Sequence, residues 1–425
     1  MAFRKEIRLR NAVALYVSSV LGSGILVLPG LTAQLAGPAS LLAWVLLAAA
    51  SVPFALTFAS LSARRPESGG IYGFAREAFG PTLAVPAGWL FVLWSATGGP
   101  AVGLIAASYL QYAFPLTRPE TYLLAFGVVA AAFLVNYRGI VLSNRVQLAV
   151  ILSIVGLLAL AVIVAGGRVS PGNFQPFFPN GLLPVGTASA LIFWSFLGYE
   201  NVSNVAEEFA DPRRDFRRSV LLSVLLVSLL YFSVAFVTVG TRAYSAGGSV
   251  APFAALLGGI FGAYAADATA LLALFIIFGV VNAYVTGMSR VVYATARDGG
   301  LPSALSKLHP RTGVPSYALL TLLGLESVVF AGYYFSQFDL AQALLVSSGA
   351  AIAVYVIGSA AGVRLHRQAG REGRIYVGLA ASSLVLSLVI LPFVGVYLLV
   401  TLVVVLLGAF YGRRLLRMRS RAALS

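Results

Sequence analysis

The chain has 425 residues, of which 59% are hydrophobic and only 10% charged. Soluble domains carry roughly 25% charged residues, so too few polar groups are present to cover a globule of this size. With no cysteine and only two histidines, His309 and His366, a disulfide scaffold, a zinc finger, a cysteine nucleophile and a His-rich metal site are excluded. The net charge of +15 would suit nucleic acid, but a chain this apolar is tested first as a membrane protein.

About 20 apolar helical residues cross a bilayer core of roughly 30 Å. Runs of that kind predict twelve spans, at about 9–35, 38–62, 83–113, 120–136, 146–167, 185–208, 219–240, 260–289, 315–333, 339–363, 375–391 and 393–412. Little chain remains for loops, so no sizeable soluble domain is expected. With the N-terminus placed in the cytoplasm, 26 of the 29 Lys and Arg residues fall on the cytoplasmic side. Arg118, Arg168 and Arg242 alone fall on the other. Basic residues favour the cytoplasmic side of short loops, so the split predicts a multi-pass protein of the cytoplasmic membrane with both termini inside. The bilayer is then the partner that the charge implies, and nucleic acid is not.

The first span contains Gly22-Ser23-Gly24, and the sixth contains Leu197-Gly198-Tyr199-Glu200-Asn201. Each interior glycine costs a helix about 1 kcal/mol relative to alanine. Gly24 and Gly198 lie 174 residues apart, and a shift of about that size lays span one on span six and span five on span ten. Five crossings are an odd number, so the second unit enters from the opposite face. The predicted organisation is a first five-helix repeat over 1–167, an inverted second repeat over 185–363, two further helices over 375–413 and a basic tail over 414–425. Unwound backbone at membrane depth is tolerated where it lines a cavity. A broken helix presents N–H groups at one half and C=O groups at the other, which suits a ligand carrying both a carboxylate and an ammonium. The alternative for each break alone is close packing of helices through small residues. Two breaks at equivalent positions favour a site.

At these residues the sequence resembles the amino acid–polyamine–organocation transporters. Gly22-Ser23-Gly24-Ile25 matches that family's first broken helix. Pro66-Glu67-Ser68-Gly69-Gly70-Ile71-Tyr72, followed by Arg76-Glu77-Ala78-Phe79-Gly80, matches its loop after span two. Phe196-x-Gly198-Tyr199-Glu200, with Ala206-Glu207-Glu208 and Asp211-Pro212-x-Arg214, matches its sixth-span signature. Ser289-Arg290 with Ala296-Arg297-Asp298-Gly299 matches the end of its eighth span. Within the family it looks most like the neutral amino-acid permeases and exporters.

The resemblance implies an all-α membrane protein of twelve transmembrane helices. It has a leucine-transporter-type five-plus-five inverted repeat, two C-terminal helices, breaks in helices 1 and 6, and alternating access to a midplane site. It also implies that the amides near Gly22, Ser23, Gly24 and Ile25 hold a substrate carboxylate, with Ser19 and the Trp194 carbonyl at the ammonium. Trp194, Leu197 and Gly198 of span six, Trp94, Ser95 and Gly99 of span three, Tyr284 of span eight and Ser347 and Ser348 of span ten complete the implied pocket. The expected substrate is a neutral, apolar L-amino acid, because that residue set offers no Lys, Arg or Asp to a charged side chain. Exchange, export, and a cationic amino acid or polyamine as cargo are the alternatives; a channel or an intramembrane enzyme is remote. No cofactor or metal is implied.

Glu200 is costly at membrane depth, by about 2.5–3.5 kcal/mol on insertion scales. It is read as a gating group bonded to freed amides, with proton carriage as the sharper alternative. The lysine that some proton-coupled relatives carry in span five has no counterpart in 147–155. Asn282, Thr286 and Ser289 are candidate polar groups for a sodium ion, so proton, sodium and uncoupled exchange stay open. Glu326, inside span nine, is read as protonated or paired, and as a packing or dimer contact, because span nine is peripheral in this family's fold.

Overall fold

The computed structural model describes residues 9–64, 70–139, 144–199, 212–245 and 247–422. Every long element in it is a helix. In chain order these are α1 (Leu9–Val20), α2 (Gly24–Ala36), α3 (Ser40–Arg64), α4 (Gly70–Phe79), α5 (Pro81–Ala113), α6 (Arg118–Tyr137), α7 (Asn144–Gly166) and α8 (Leu183–Ile192). They continue as α9 (Pro212–Gly240), α10 (Pro252–Phe261), α11 (Ala263–Arg297), α12 (Ser316–Phe335), α13 (Leu340–Gln368), α14 (Arg374–Ile390) and α15 (Leu398–Ala422).

Among the described residues nine helical stretches are long and apolar enough to cross a membrane. Two of them, Gly24–Ser62 and Arg374–Met418, are 39 and 45 residues long. Each of these contains a helix boundary, α2 to α3 and α14 to α15. The first predicted span is divided: α1 stops at Val20 and α2 starts at Gly24. The sixth changes from α-helix to a 3-10 turn over Phe193–Phe196 and becomes extended at Leu197.

Two helices run well beyond their apolar runs at one end. α9 begins at Pro212, ahead of the predicted 219, and α11 runs to Arg297, past the predicted 289. Arg is a good helix former and its long stem lets the charge reach water, so a helix continues where the apolar run has ended. The predicted span 260–289 also crosses a real boundary. Gly262, at φ 89°, separates the ten-residue α10 from α11.

α5 and α13 are the most enclosed helices, and the 374–418 stretch is the least. α5 packs against α4, α6, α11, α12, α13 and α15. α1, α2, α3, α8 and α9 pack among themselves beside it. The polar contacts sort the segment ends into two groups. At one end Arg76 pairs with Asp298 at 2.6 Å, the Trp89 indole donates to the Gly300 carbonyl at 2.7 Å, and Ser60 bonds His366 at 3.0 Å. At the other, Asn180 donates to the Leu35 carbonyl, Asn173 to the Gly240 carbonyl and Arg118 to the Tyr334 carbonyl. Each of these contacts joins segments that the charge pattern assigned to the same side.

Candidate functional site

The two breaks touch. Gly198 has φ 121°, a conformation that side-chain-bearing residues rarely adopt, and the Ser19 carbonyl occupies the place a Cβ would take there. Across the same junction, a methyl on Gly24 would lie 2.6 Å from Trp194 Cδ1 and 2.8 Å from Ser195 Oγ. Glycine at both positions therefore lets two unwound backbones approach to contact distance.

The polar ends at the first break are only partly spent. The Leu21 amide closes α1 on the Val17 carbonyl at 2.9 Å, and the Tyr231 phenol of α9 donates to the Val20 carbonyl at 3.0 Å. The first amides of α2, those of Gly24 and Ile25, have no acceptor within their own helix and carry the positive end of its dipole. Pro29 has no N–H for the Ile25 carbonyl. The Tyr109 phenol of α5 donates to the Leu26 carbonyl at 2.6 Å. Donors and acceptors thus sit within a few residues of each other, an arrangement able to hold both charges of a zwitterion.

Trp194 links the break to a cavity. Its Cδ1 edge faces Gly24, while its Cη2 edge lies where a methyl on Gly98 would be 2.9 Å away. Beyond the indole is a cavity of about 30 Å³, lined by Trp94, Ser95, Gly98 and Gly99 of α5 and by Tyr284 and Met288 of α11, among others. The Trp94 ring makes edge contacts with Trp194 at 6.4 Å and with Tyr284 at 6.2 Å. Of the residues named from sequence, Trp94, Ser95, Gly99, Trp194 and Tyr284 come together here. Ser23, Gly24, Ile25, Leu197 and Gly198 belong to the two breaks beside it.

Other named residues are used differently. The Ser19 hydroxyl donates to the Tyr16 carbonyl at 2.9 Å, within its own helix. Ser347 donates to the Trp94 carbonyl at 3.2 Å, which ties α13 to α5. Ser348 is fully buried, outside the cavity lining, and its hydroxyl has no hydrogen-bond partner among the described residues. A methyl on Gly22 would meet nothing closer than the Val20 carbonyl, at 3.8 Å.

Asn282, Thr286 and Ser289, the expected candidates for an ion, are engaged with neighbouring groups. Asn136 of α6 donates to Asn282 Oδ1 at 2.9 Å, and Thr286 donates to Asn136 Oδ1 at 2.6 Å. Ser289 donates to the Thr286 carbonyl at 3.0 Å. The bonds of Asn136 to Asn282 and Thr286 tie α6 to α11. The cavity takes the other face of α11, at Val281, Tyr284, Val285 and Met288. Glu200 lies outside the described residues.

Glu326, expected to be protonated or paired and to make a packing or dimer contact, packs inward and reaches the cavity. It is 2% exposed and is aimed inward at α5, where its side chain lines the cavity. Ser95 Oγ donates to its Oε1 at 3.3 Å, while Oε2 has no partner and lies against Gly99. α12 is peripheral, but this face of it is not. Glu326, Tyr109 and Tyr231 are the residues here that the sequence did not assign to the site.

An all-helical chain with nine stretches able to cross a membrane, in which two helix breaks meet beside an aromatic cavity, has the build of a multi-pass transporter. The Amino acid permease family model matches residues 7–414. The chain belongs to that family, in agreement with the resemblance read from its motifs. It is 35% identical over 403 residues to the uncharacterized amino acid permease YecA of Bacillus subtilis, covering 94% of each chain. It is 30% identical to the L-methionine/branched-chain amino acid exporter YjeH of Escherichia coli, covering 92% of each. It is 29% identical to the branched-chain amino acid permease BcaP of Bacillus subtilis, covering 75% of this chain and 72% of that one.

Proposed function

We propose that this protein is a secondary active transporter that carries a neutral, apolar L-amino acid across the cytoplasmic membrane by alternating access. The observation that carries this reading is the junction of the breaks with the cavity through Trp194. The amides of Gly24 and Ile25 receive the carboxylate, the nearby carbonyls receive the ammonium, and the side chain passes the indole into the aromatic cavity. Relatives named for methionine and branched-chain amino acids support an apolar side chain.

The proposed architecture has twelve spans. Nine stretches, two of them double, account for eleven, and the segment from Leu183 through the second break supplies the twelfth. The first ten form the inverted five-plus-five repeat, and the close approach of the two breaks, Gly198 to Ser19 and Gly24 to Trp194, supports it. Trp194 and Tyr284 stand in the cavity wall, where their movement would open it to one side or the other, as alternating access requires.

Counterflow in proteoliposomes tests the reading. Vesicles preloaded with unlabelled leucine are expected to accumulate labelled leucine, methionine or valine transiently and saturably. Transport of arginine or glutamate with no transport of any neutral amino acid would overturn it.

A further inference from the structure

Among the described residues, the Glu326 carboxyl is the one acidic group in the cavity lining, and no cation lies beside it there. α12 packs against α5, α6, α11 and the short turn Ser303–Ser306. From α5 the cavity receives no titratable side chain, and the turn has none to offer. On α6, Arg118 and Tyr122 sit against Tyr334, two turns along α12 from Glu326, and Tyr137 faces His309. From α11 the Tyr284 phenol faces the cavity, whereas Arg290 is exposed. Among the described residues, Glu326 therefore has one hydroxyl on Oε1, none on Oε2, and aromatic and aliphatic side chains around it.

An ionised carboxyl is held in such surroundings only at high cost, and a proton removes that cost. The cavity of about 30 Å³ has room for one water, which can hydrate Oε2. An apolar substrate side chain entering the cavity takes that place and offers no donor in return. Occupancy by the side chain then disfavours the ionised carboxyl further. Linkage is reciprocal, so a proton on Glu326 favours the side chain by the same factor.

We propose that Glu326 binds the proton that is carried with the amino acid. The proton comes from water on the side to which the site is open, bonds to a carboxyl oxygen, and leaves to water on the opposite side with the substrate. This inference rests on the amino-acid reading above and adds to it the coupling ion and its site.

The test uses purified full-length protein in detergent and in liposomes. Leucine binding by the wild type is expected to take up protons in weakly buffered solution. Its Kd is expected to weaken by up to about tenfold per pH unit at the alkaline end of roughly pH 5 to 8, the limit for one linked proton. Infrared difference spectra on leucine binding are expected to gain a protonated-carboxyl band that Glu326→Gln lacks. In Glu326→Gln the dependence of Kd on pH and the accumulation driven by an imposed pH gradient are both expected to vanish, whereas Glu326→Asp, which keeps the carboxyl, retains gradient-driven uptake. Leucine binding by the wild type without proton uptake would overturn this inference and leave the amino-acid reading standing. Gradient-driven uptake by Glu326→Gln equal to that of the wild type would do the same. Absence of binding by any neutral amino acid at any pH would overturn both.

Discussion

At Gly198 two demands coincide: a backbone conformation with φ 121°, and a Ser19 carbonyl where a side chain would begin. Backbone strain of this kind costs about 1–3 kcal/mol, and here the obstacle is main chain, which cannot rotate away. Gly198→Ala is therefore expected to lose most of its folded, monodisperse material in fluorescence-detected size-exclusion chromatography. Gly22→Ala, one break away but in open space, is expected to stay within about 1 kcal/mol of the wild type in thermal stability. Equal stability of the two variants would refute the idea that the breaks are pressed together through Gly198. Both glycines were legible as helix breakers, and the family motifs named the aromatic residues around the cavity. Glu326 was legible as an oddity but not as a cavity group. The buried face of its helix runs through Leu319, Leu322, Glu326, Phe330 and Tyr333, while Leu325 and Val328 are exposed. A lipid-facing surface is as apolar as a packed one, so periodicity cannot say which way a membrane helix turns. The same lack of contrast hid Tyr109 and Tyr231, whose phenols serve the carbonyls of the first break.

Between helices, polar groups do the work that hydrophobic burial cannot do in lipid. The Asn136–Asn282–Thr286 cluster joins α6 to α11: the Asn136 amide donates to Asn282 Oδ1, and the Thr286 hydroxyl donates to Asn136 Oδ1 and the Asn282 carbonyl. Removing one partner leaves a buried group unsatisfied, at about 1–3 kcal/mol. Asn136→Ala and Thr286→Ala are expected to lower the thermal unfolding midpoint in detergent while leaving leucine exchange equally fast in sodium and in potassium buffers. A sodium requirement lost specifically in Thr286→Ala would return that hydroxyl to an ion site. The Arg76–Asp298 pair ties the amphipathic α4 to the end of α11 and is joined by the Tyr72 phenol at 3.1 Å. Arg76 is 41% exposed, so its stability contribution is small, about 1 kcal/mol at most. Arg76→Ala is expected to alter the rate of exchange more than the unfolding temperature, with partial recovery when Asp298→Arg is combined with Arg76→Asp. At this scale the sequence located the long helices well, because hydrophobic length is the constraint a bilayer imposes. It missed α4 and α10 as helices because ten residues are too few to register as a span.

For the whole molecule, charge and contacts carry separate information. The Lys and Arg distribution assigns sides from composition alone. The hydrogen bonds and ion pairs group the same segments by geometry: Arg76 with Asp298, Ser60 with His366, Arg118 with Tyr334. The basic excess predicts that its own group faces the cytoplasm, and the absence of cysteine from the sequence makes this directly measurable. Single cysteines at exposed positions report sidedness with no background. Arg242 and Arg168 lie in the sparsely charged set, with Arg168 next to Val169, which packs against Gly240. Arg311 and Arg413 lie in the basic set and are exposed. Arg168→Cys and Arg242→Cys are expected to react with a membrane-impermeant maleimide in intact cells. Arg311→Cys and Arg413→Cys are expected to react only after permeabilisation. Labelling of all four in intact cells, or the reverse pattern, would show that the basic excess does not set the orientation. A split within either pair would show that a span has been miscounted between its members, because each crossing exchanges the side on which every later loop emerges.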